Sequence, residues 1–87
     1  MTKDVESVVI AAIRRVAKMV DRDTPLTRET RLIEEEMLDS VELLQLVMEL
    51  ETTYGIEIPL EELAPENFES VGAVTALVTR QLGRDNL

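Results

Sequence analysis

The residue best suited to carry chemistry in this chain is Ser40, in the segment 37–44 (MLDSVELL). An acidic approach ends there in an Asp-Ser pair, and an amphipathic helix begins. A serine hydroxyl becomes a nucleophile only when a nearby base such as His or Lys activates it. The chain has no His, no Lys near Ser40 and no Gly-x-Ser-x-Gly elbow. Reaction at Ser40 would therefore need a second protein, and the alternative is that Ser40 only caps the helix.

Residue composition excludes several other kinds of site. The absence of Cys rules out a disulfide, a thiolate metal site and a cysteine nucleophile, and the absence of His removes the commonest metal ligand. Asp21 does not begin a calcium-binding loop, because Leu26 and Leu32 stand where that loop requires Gly and Glu. A chain of 87 residues also buries too small a core for a large internal active site. We therefore expect no metal site and no catalytic activity of the chain's own.

Charge is high and unevenly distributed. The net charge of −9 argues against nucleic acid, because phosphate binding depends on Lys and Arg. There is no Lys or Arg between positions 32 and 79, where the acids could attract basic partners. An acidic adaptor that binds basic proteins without any prosthetic group is therefore an alternative function. No signal peptide or membrane-spanning run is evident, and we expect a soluble, cytoplasmic monomer.

The apolar spacing predicts an all-α fold in a single domain over residues 1–87. Long helices are expected at about 3–20, 40–54 and 70–82, with a short helical turn within 60–68. Thr2 is a suitable cap for the first helix. The fold would be a small bundle of three long helices plus one short helix.

Loop residues are expected to complete the core. Leu26, Leu32 and Ile33 are candidate anchors in the long connection before Ser40. Phe68, the only Phe, is expected in the core. Gly55 and Gly83 are placed to end the second and third helices.

A short exposed strip is predicted on the second helix. Val41 and Met48 lie seven positions apart, with Gln45 between them, and Glu42 and Glu49 would rim the strip. One interpretation is a wide core stripe, and the other is a surface of flexible apolar contacts for a partner.

The segment 39–44 (DSVELL) resembles the Asp-Ser-Leu motif of acyl carrier proteins. The resemblance continues through residues 54–59 (YGIEIP) and the closing helix, and it covers essentially the whole chain. It implies an acyl-carrier-like bundle in which a phosphopantetheinyl transferase attaches 4′-phosphopantetheine to Ser40. Asp39 would help that transferase and its magnesium ion engage the serine, and Val41, Glu42, Gln45, Met48 and Glu49 would contact partner enzymes.

The resemblance implies that a ligase loads an acyl or aminoacyl group as a thioester, which downstream synthases or transferases then use. Two positions bear on the pathway. Met37 replaces the Gly found three residues before the serine in many fatty-acid carriers, and Gln45 replaces a usual acid. Gln45 argues against electrostatic docking to fatty-acid enzymes. The segment 37–40 (MLDS) is closer to free-standing aminoacyl, D-alanyl or peptidyl carriers, and residues 66–70 (ENFES) also resemble that group. A specialised pathway is therefore favoured over the alternative of a housekeeping fatty-acid carrier.

Overall fold

Three α-helices and two short 3₁₀ turns form the structure, which is a computed structural model describing residues 4–85, with side chains as far as Gly83. Their order is α1 (Val5–Val16), α2 (Ser40–Tyr54), the 3₁₀ turns Leu60–Glu62 and Pro65–Asn67, and α3 (Val71–Asp85). Over the described range the one β-type pairing is an isolated antiparallel bridge between Arg31 and Ser70. The predicted all-α fold is confirmed, with the short segment 60–68 divided into two turns.

The first helix is shorter than predicted. Asp4 caps it by accepting a hydrogen bond from the Ser7 N–H at 2.7 Å, and the predicted cap Thr2 lies outside the described residues. The helix ends at Val16, because Ala17 is extended and the next N–H, that of Lys18, bonds to a carboxylate on α2. The predicted end at residue 20 is therefore wrong, although Ala17 is buried outside the helix.

The core lies between α1 and the other two helices, both of which α1 contacts. Phe68 is fully buried as predicted, and Ile56 and Ile58 insert from the segment after α2. Burying such side chains supplies most of the stability of a small bundle. The largest fully buried aliphatic side chains from the helices and the long connection are Val9, Ile13, Leu32, Leu46, Leu50, Val71, Val74, Leu77 and Val78.

Hydrogen bonds within the turn at Asp21 order the first part of the long connection from residue 17 to residue 39. The Asp21 carboxylate accepts hydrogen bonds from the Asp23 and Thr24 N–H groups and from the Thr24 hydroxyl. These bonds lower the pKa of Asp21 below its ordinary value of 3.8, and the bond from the Thr24 hydroxyl has the largest effect. The connection is therefore ordered by polar contacts as well as by apolar anchors.

The middle of this connection pairs with the start of α3. The Leu32 N–H donates to the Glu69 carbonyl at 2.9 Å, and the Val71 N–H donates to the Thr30 carbonyl at 3.2 Å. Leu32 is fully buried, as predicted, but Ile33 is 42% exposed. The prediction that Ile33 enters the core is wrong, because the backbone pairing directs only one of these two neighbours inward.

Helix ends follow the sequence signals in one case and not in another. Gly55 ends α2 in the left-handed conformation, with φ of 63°, as predicted. Gly83 does not end α3, which runs on to Asp85. Ser70 caps that helix, and its hydroxyl accepts a hydrogen bond from the Ala73 N–H at 3.1 Å.

Candidate functional site

Ser40 is the first residue of α2 and is exposed to solvent. The helix cap is its neighbour Asp39, whose carboxylate accepts a hydrogen bond from the Glu42 N–H at 2.8 Å. Within the described residues the Ser40 hydroxyl makes no hydrogen bond with the protein. Capping therefore does not occupy Ser40, and its oxygen is accessible for reaction with another protein.

The chain reaches Ser40 through a tight turn. The Met37 N–H donates to the Leu32 carbonyl at 2.9 Å, and Glu36 adopts a left-handed conformation with φ of 53°. Side chains other than Gly seldom adopt this conformation. Met37 and Leu38 are partly buried against the core, which leaves Asp39 and Ser40 as the exposed end of the turn.

Glu42 is buried, contrary to its predicted place on the rim of a partner surface. Its side chain closes a capping box, because Oε1 accepts a hydrogen bond from the Asp39 N–H at 3.1 Å. Its other oxygen, Oε2, accepts one from the Lys18 N–H at 2.9 Å. Glu42 is only 4% exposed, so its carboxylate joins the start of α2 to the end of α1. The prediction that it faces solvent is wrong.

An exposed row of apolar side chains begins one residue after Ser40. Val41 and Met48 are each 64% exposed, and Leu44 is 57% exposed. Gln45 is exposed beside them. We call these four residues the α2 face. Leu44 was missed by sequence reasoning, although its offsets of three and four from Val41 and Met48 place all three on one side of a helix.

A groove of about 590 Å³ runs along one edge of the α2 face. Gln45, Met48 and Glu49 line it from α2, and Arg15 and Lys18 line it from the C-terminal end of α1 and just beyond. Glu49 does not project freely, because its carboxylate forms an ion pair with Arg15 at 2.8 Å. The groove is therefore bordered by cations in a chain that is otherwise strongly acidic.

Two further features bear on the kind of site. Within residues 4–85 no cluster of three or more acidic side chains is arranged to hold a metal ion. In the same part of the chain, none of the helices has the length and apolar character needed to cross a membrane. What the geometry offers is an accessible hydroxyl at a helix start, bordered by an apolar face.

Comparison with known proteins shows the family to which the chain belongs. Residues 7–84 match the family described as "Phosphopantetheine attachment site". The chain is also similar to "Aminoacyl carrier protein 2" of Bradyrhizobium diazoefficiens, with 29% identity over 80 residues that cover 92% of this chain and 89% of that protein. The expected resemblance to carrier proteins and its cofactor are thereby confirmed. The chain belongs to the acyl carrier protein family, whose members carry covalently attached 4′-phosphopantetheine.

Proposed function

We propose that this protein carries an acyl or aminoacyl group on 4′-phosphopantetheine attached to the Ser40 hydroxyl. The observation that supports the attachment point is the exposed Ser40 at the start of α2, with capping assigned to Asp39. In the attachment step a separate transferase joins Ser40 Oγ to phosphorus. The pyrophosphate bond of coenzyme A breaks, adenosine 3′,5′-bisphosphate leaves, and the serine proton is released.

The residues around Ser40 fit this group. An attached phosphate would lie at the positive end of the α2 dipole, where negative charge is stabilised. The prosthetic group, when bound, supplies the thiol that the Cys-free chain lacks, and cargo is held there as a thioester. Asp39 is exposed, and its capping bond to the Glu42 N–H uses one of its two carboxylate oxygens. We assign to Asp39 the recruitment of the transferase and its magnesium ion.

The proposed cycle requires three kinds of partner enzyme. A phosphopantetheinyl transferase modifies Ser40, a ligase loads the acyl or aminoacyl group, and a synthase or transferase consumes it. Val41, Gln45, Met48 and Glu49 are proposed to contact these enzymes, with Glu49 acting as a pair with Arg15. Glu42 is left out of this surface because it is buried.

A specialised pathway is favoured over housekeeping fatty-acid synthesis. Gln45 leaves the exposed row of α2 without an acid, and Met37 packs partly into the core where many fatty-acid carriers have Gly. The similarity to an aminoacyl carrier protein supports an amino acid as one candidate for the cargo.

The attachment is tested by incubating the purified protein with coenzyme A and a phosphopantetheinyl transferase. Intact-mass spectrometry should show one added phosphopantetheine on the wild type and none on Ser40→Ala. Ser7→Ala, which removes another exposed serine hydroxyl in a helical first turn, is the matched control and should be modified fully. A wild type that stays unmodified with several transferases would refute the proposal.

A test in the cell distinguishes the carrier function from the alternative of an acidic adaptor. A strain carrying folded Ser40→Ala should lose the pathway that depends on the carrier. Retained function in that strain would favour an adaptor that needs no prosthetic group.

A further inference from the structure

Every carboxylate of α2 is engaged within the protein. The helix contains three acids, and Glu42 is buried with both oxygens bonded to backbone N–H groups. Glu49 is ion-paired with Arg15 at 2.8 Å, and the Glu51 carboxylate accepts a hydrogen bond from the Ile58 N–H at 2.9 Å. The helix that follows Ser40 therefore presents no unpartnered acid to an approaching protein.

The exposed side of the same helix is apolar. Val41, Leu44 and Met48 are each more than half exposed, and seven residues of helix place them along about 10 Å of its axis. Exposed aliphatic and Met side chains grouped in this way are typical of protein contact sites. The fourth member of the α2 face, Gln45, is neutral. Contact energy at this face must therefore come from apolar burial rather than from ion pairs.

The border of the α2 face carries an excess of positive charge. Arg15 and Lys18 line the adjoining groove, and Glu49 neutralises only Arg15. Within the described residues Lys18 has no ion-pair partner, and it is exposed. A partner that covers the groove would therefore meet an unpaired ammonium group beside Gln45 and Met48.

Unpaired acids are exposed elsewhere on the chain. Glu35 and Glu36 precede Ser40, and Glu57, Glu61 and Glu66 follow α2, all of them exposed and without an ion pair in the described residues. These groups generate the negative field that acts at a distance and is screened beyond about 10 Å at 0.1 M salt. The acids that generate the long-range field thus lie outside α2, whereas the α2 face makes the close contacts.

We propose that the α2 face binds enzymes whose matching surface is apolar opposite Leu44 and Met48 and acidic opposite Lys18. The proposal rests on the carrier function and specifies the chemistry of its partners. A strongly basic docking patch, the surface that the net charge alone would suggest, is a poor match for this face. Selection among partner enzymes then depends on shape and apolar contact at α2.

The experiment measures steady-state attachment to Ser40 by the phosphopantetheinyl transferase of the source cell, with the carrier concentration varied. Leu44→Ala and Met48→Ala should each raise KM about fivefold or more, with kcat within about twofold, as truncation of a central contact residue does. Glu57→Gln, which removes an exposed acid outside α2, is the control and should keep the KM of the wild type.

Charge variants test the sign of the partner surface. Lys18→Glu and Gln45→Glu should both raise KM, and the increase should shrink when salt is raised from about 0.05 to 0.5 M because screening weakens the repulsion. Gln45→Lys should lower KM, because it adds a second cation opposite the acidic partner surface. Circular dichroism and thermal unfolding check that each variant is folded.

Several results would overturn the proposal while leaving the carrier function intact. One is a lower KM for Gln45→Glu, which would mean a basic partner surface. Another is an unchanged KM for both Leu44→Ala and Met48→Ala. Dimerisation of the wild type that Met48→Ala abolishes, or binding of the wild type to phosphatidylglycerol vesicles through this face, would identify a different occupant. A wild type that the transferase does not modify would instead refute the carrier function itself.

Discussion

Replacing Glu42 with Ala should destabilise the bundle although Glu42 looks like a surface acid in the sequence. The substitution removes two hydrogen bonds, to the Asp39 N–H at 3.1 Å and to the Lys18 N–H at 2.9 Å. The bond to Asp39 closes the capping box of α2, and the bond to Lys18 joins the start of α2 to the chain two residues after the end of α1. Their loss frees the end of α1 and opens the capping box beside Ser40.

The magnitude follows from the type of bond and the exposure of its donors. A hydrogen bond to a charged group contributes about 1.5–3 kcal/mol. Both hydrogen bonds are only partly buried, so water can reach the abandoned N–H groups and the lower end of that range applies. Two bonds then give a loss of about 3 kcal/mol, reduced by a few tenths because Ala favours the helix. The midpoint temperature of thermal unfolding would fall by roughly 10–20 °C in a domain of this size.

Urea and thermal unfolding of the wild type, Glu42→Gln and Glu42→Ala measure this directly. Glu42→Gln keeps one acceptor oxygen, so its loss should be about half that of Glu42→Ala. Glu49→Ala is the matched control from the same helix. Its ion pair with Arg15 joins side chains that are 39% and 53% exposed, and such a pair contributes about 0–1 kcal/mol.

The location of the faster exchange distinguishes loss of the two Glu42 hydrogen bonds from general destabilisation. Amide hydrogen exchange should accelerate most at Lys18 and Asp39, and less in α3. A free energy of unfolding for Glu42→Ala within about 0.5 kcal/mol of the wild type, in the range usual for surface positions, would refute the reasoning. So would equal losses for Glu42→Ala and the control Glu49→Ala.

Further substitutions test other parts of the fold. Gly83→Ala should raise the free energy of unfolding by about 0.5–1 kcal/mol, since Gly83 is inside α3 with open space around it, and a loss in urea unfolding would contradict this. Gly55→Ala should lower it by about 1–2 kcal/mol because φ is 63° there, and an unchanged value would count against the left-handed cap. Phe68→Ala should lower the free energy of unfolding by about 3–5 kcal/mol. A midpoint of thermal unfolding equal to that of the wild type would show that Phe68 is not central to the core. The lowered pKa of Asp21 stabilises the folded protein at any pH above 3.8, the ordinary pKa of the group. This contribution is lost as the pH falls from 3.8 through the lower pKa of the folded state. Asp21→Asn should remove that part of the acid sensitivity, measured as the urea midpoint against pH, and identical pH profiles would contradict it.

The sequence predicted α2 because local chemistry marks both ends of that helix. Asp39 starts it with a side-chain cap, and Gly55 ends it in a conformation that other residues disfavour. Both signals act within a few residues. They can therefore be interpreted without knowledge of the tertiary structure.

The end of α1 could not be predicted from periodicity. Ala17 and Val20 continue the apolar spacing because both are buried, but they reach the core from outside the helix. Periodic burial indicates contact with the core and does not prove helical backbone. The hydrogen bond that takes the Lys18 N–H comes from Glu42, which is distant in the sequence. Only the tertiary structure brings the two together.

Two errors involve residues whose local signal has more than one meaning. Asp39 and Glu42 have the three-residue spacing of a capping box, and that pattern could have identified Glu42 as an internal acceptor. Its place beside Ser40 in an acidic segment favoured the surface interpretation instead. Gly83 is compatible with the interior of a helix at a modest cost, so α3 continues through it to Asp85.

The pairing of the long connection with α3 has a consequence for protein synthesis. Leu32 and Thr30 are held by backbone bonds to Glu69 and Val71, which leave the ribosome well after Ser40 does. The turn that presents Ser40 directly follows this paired segment, so docking of α3 helps to fix its geometry. A transferase that requires Ser40 at a formed helix start would therefore act best on chains in which α3 has been made and has docked.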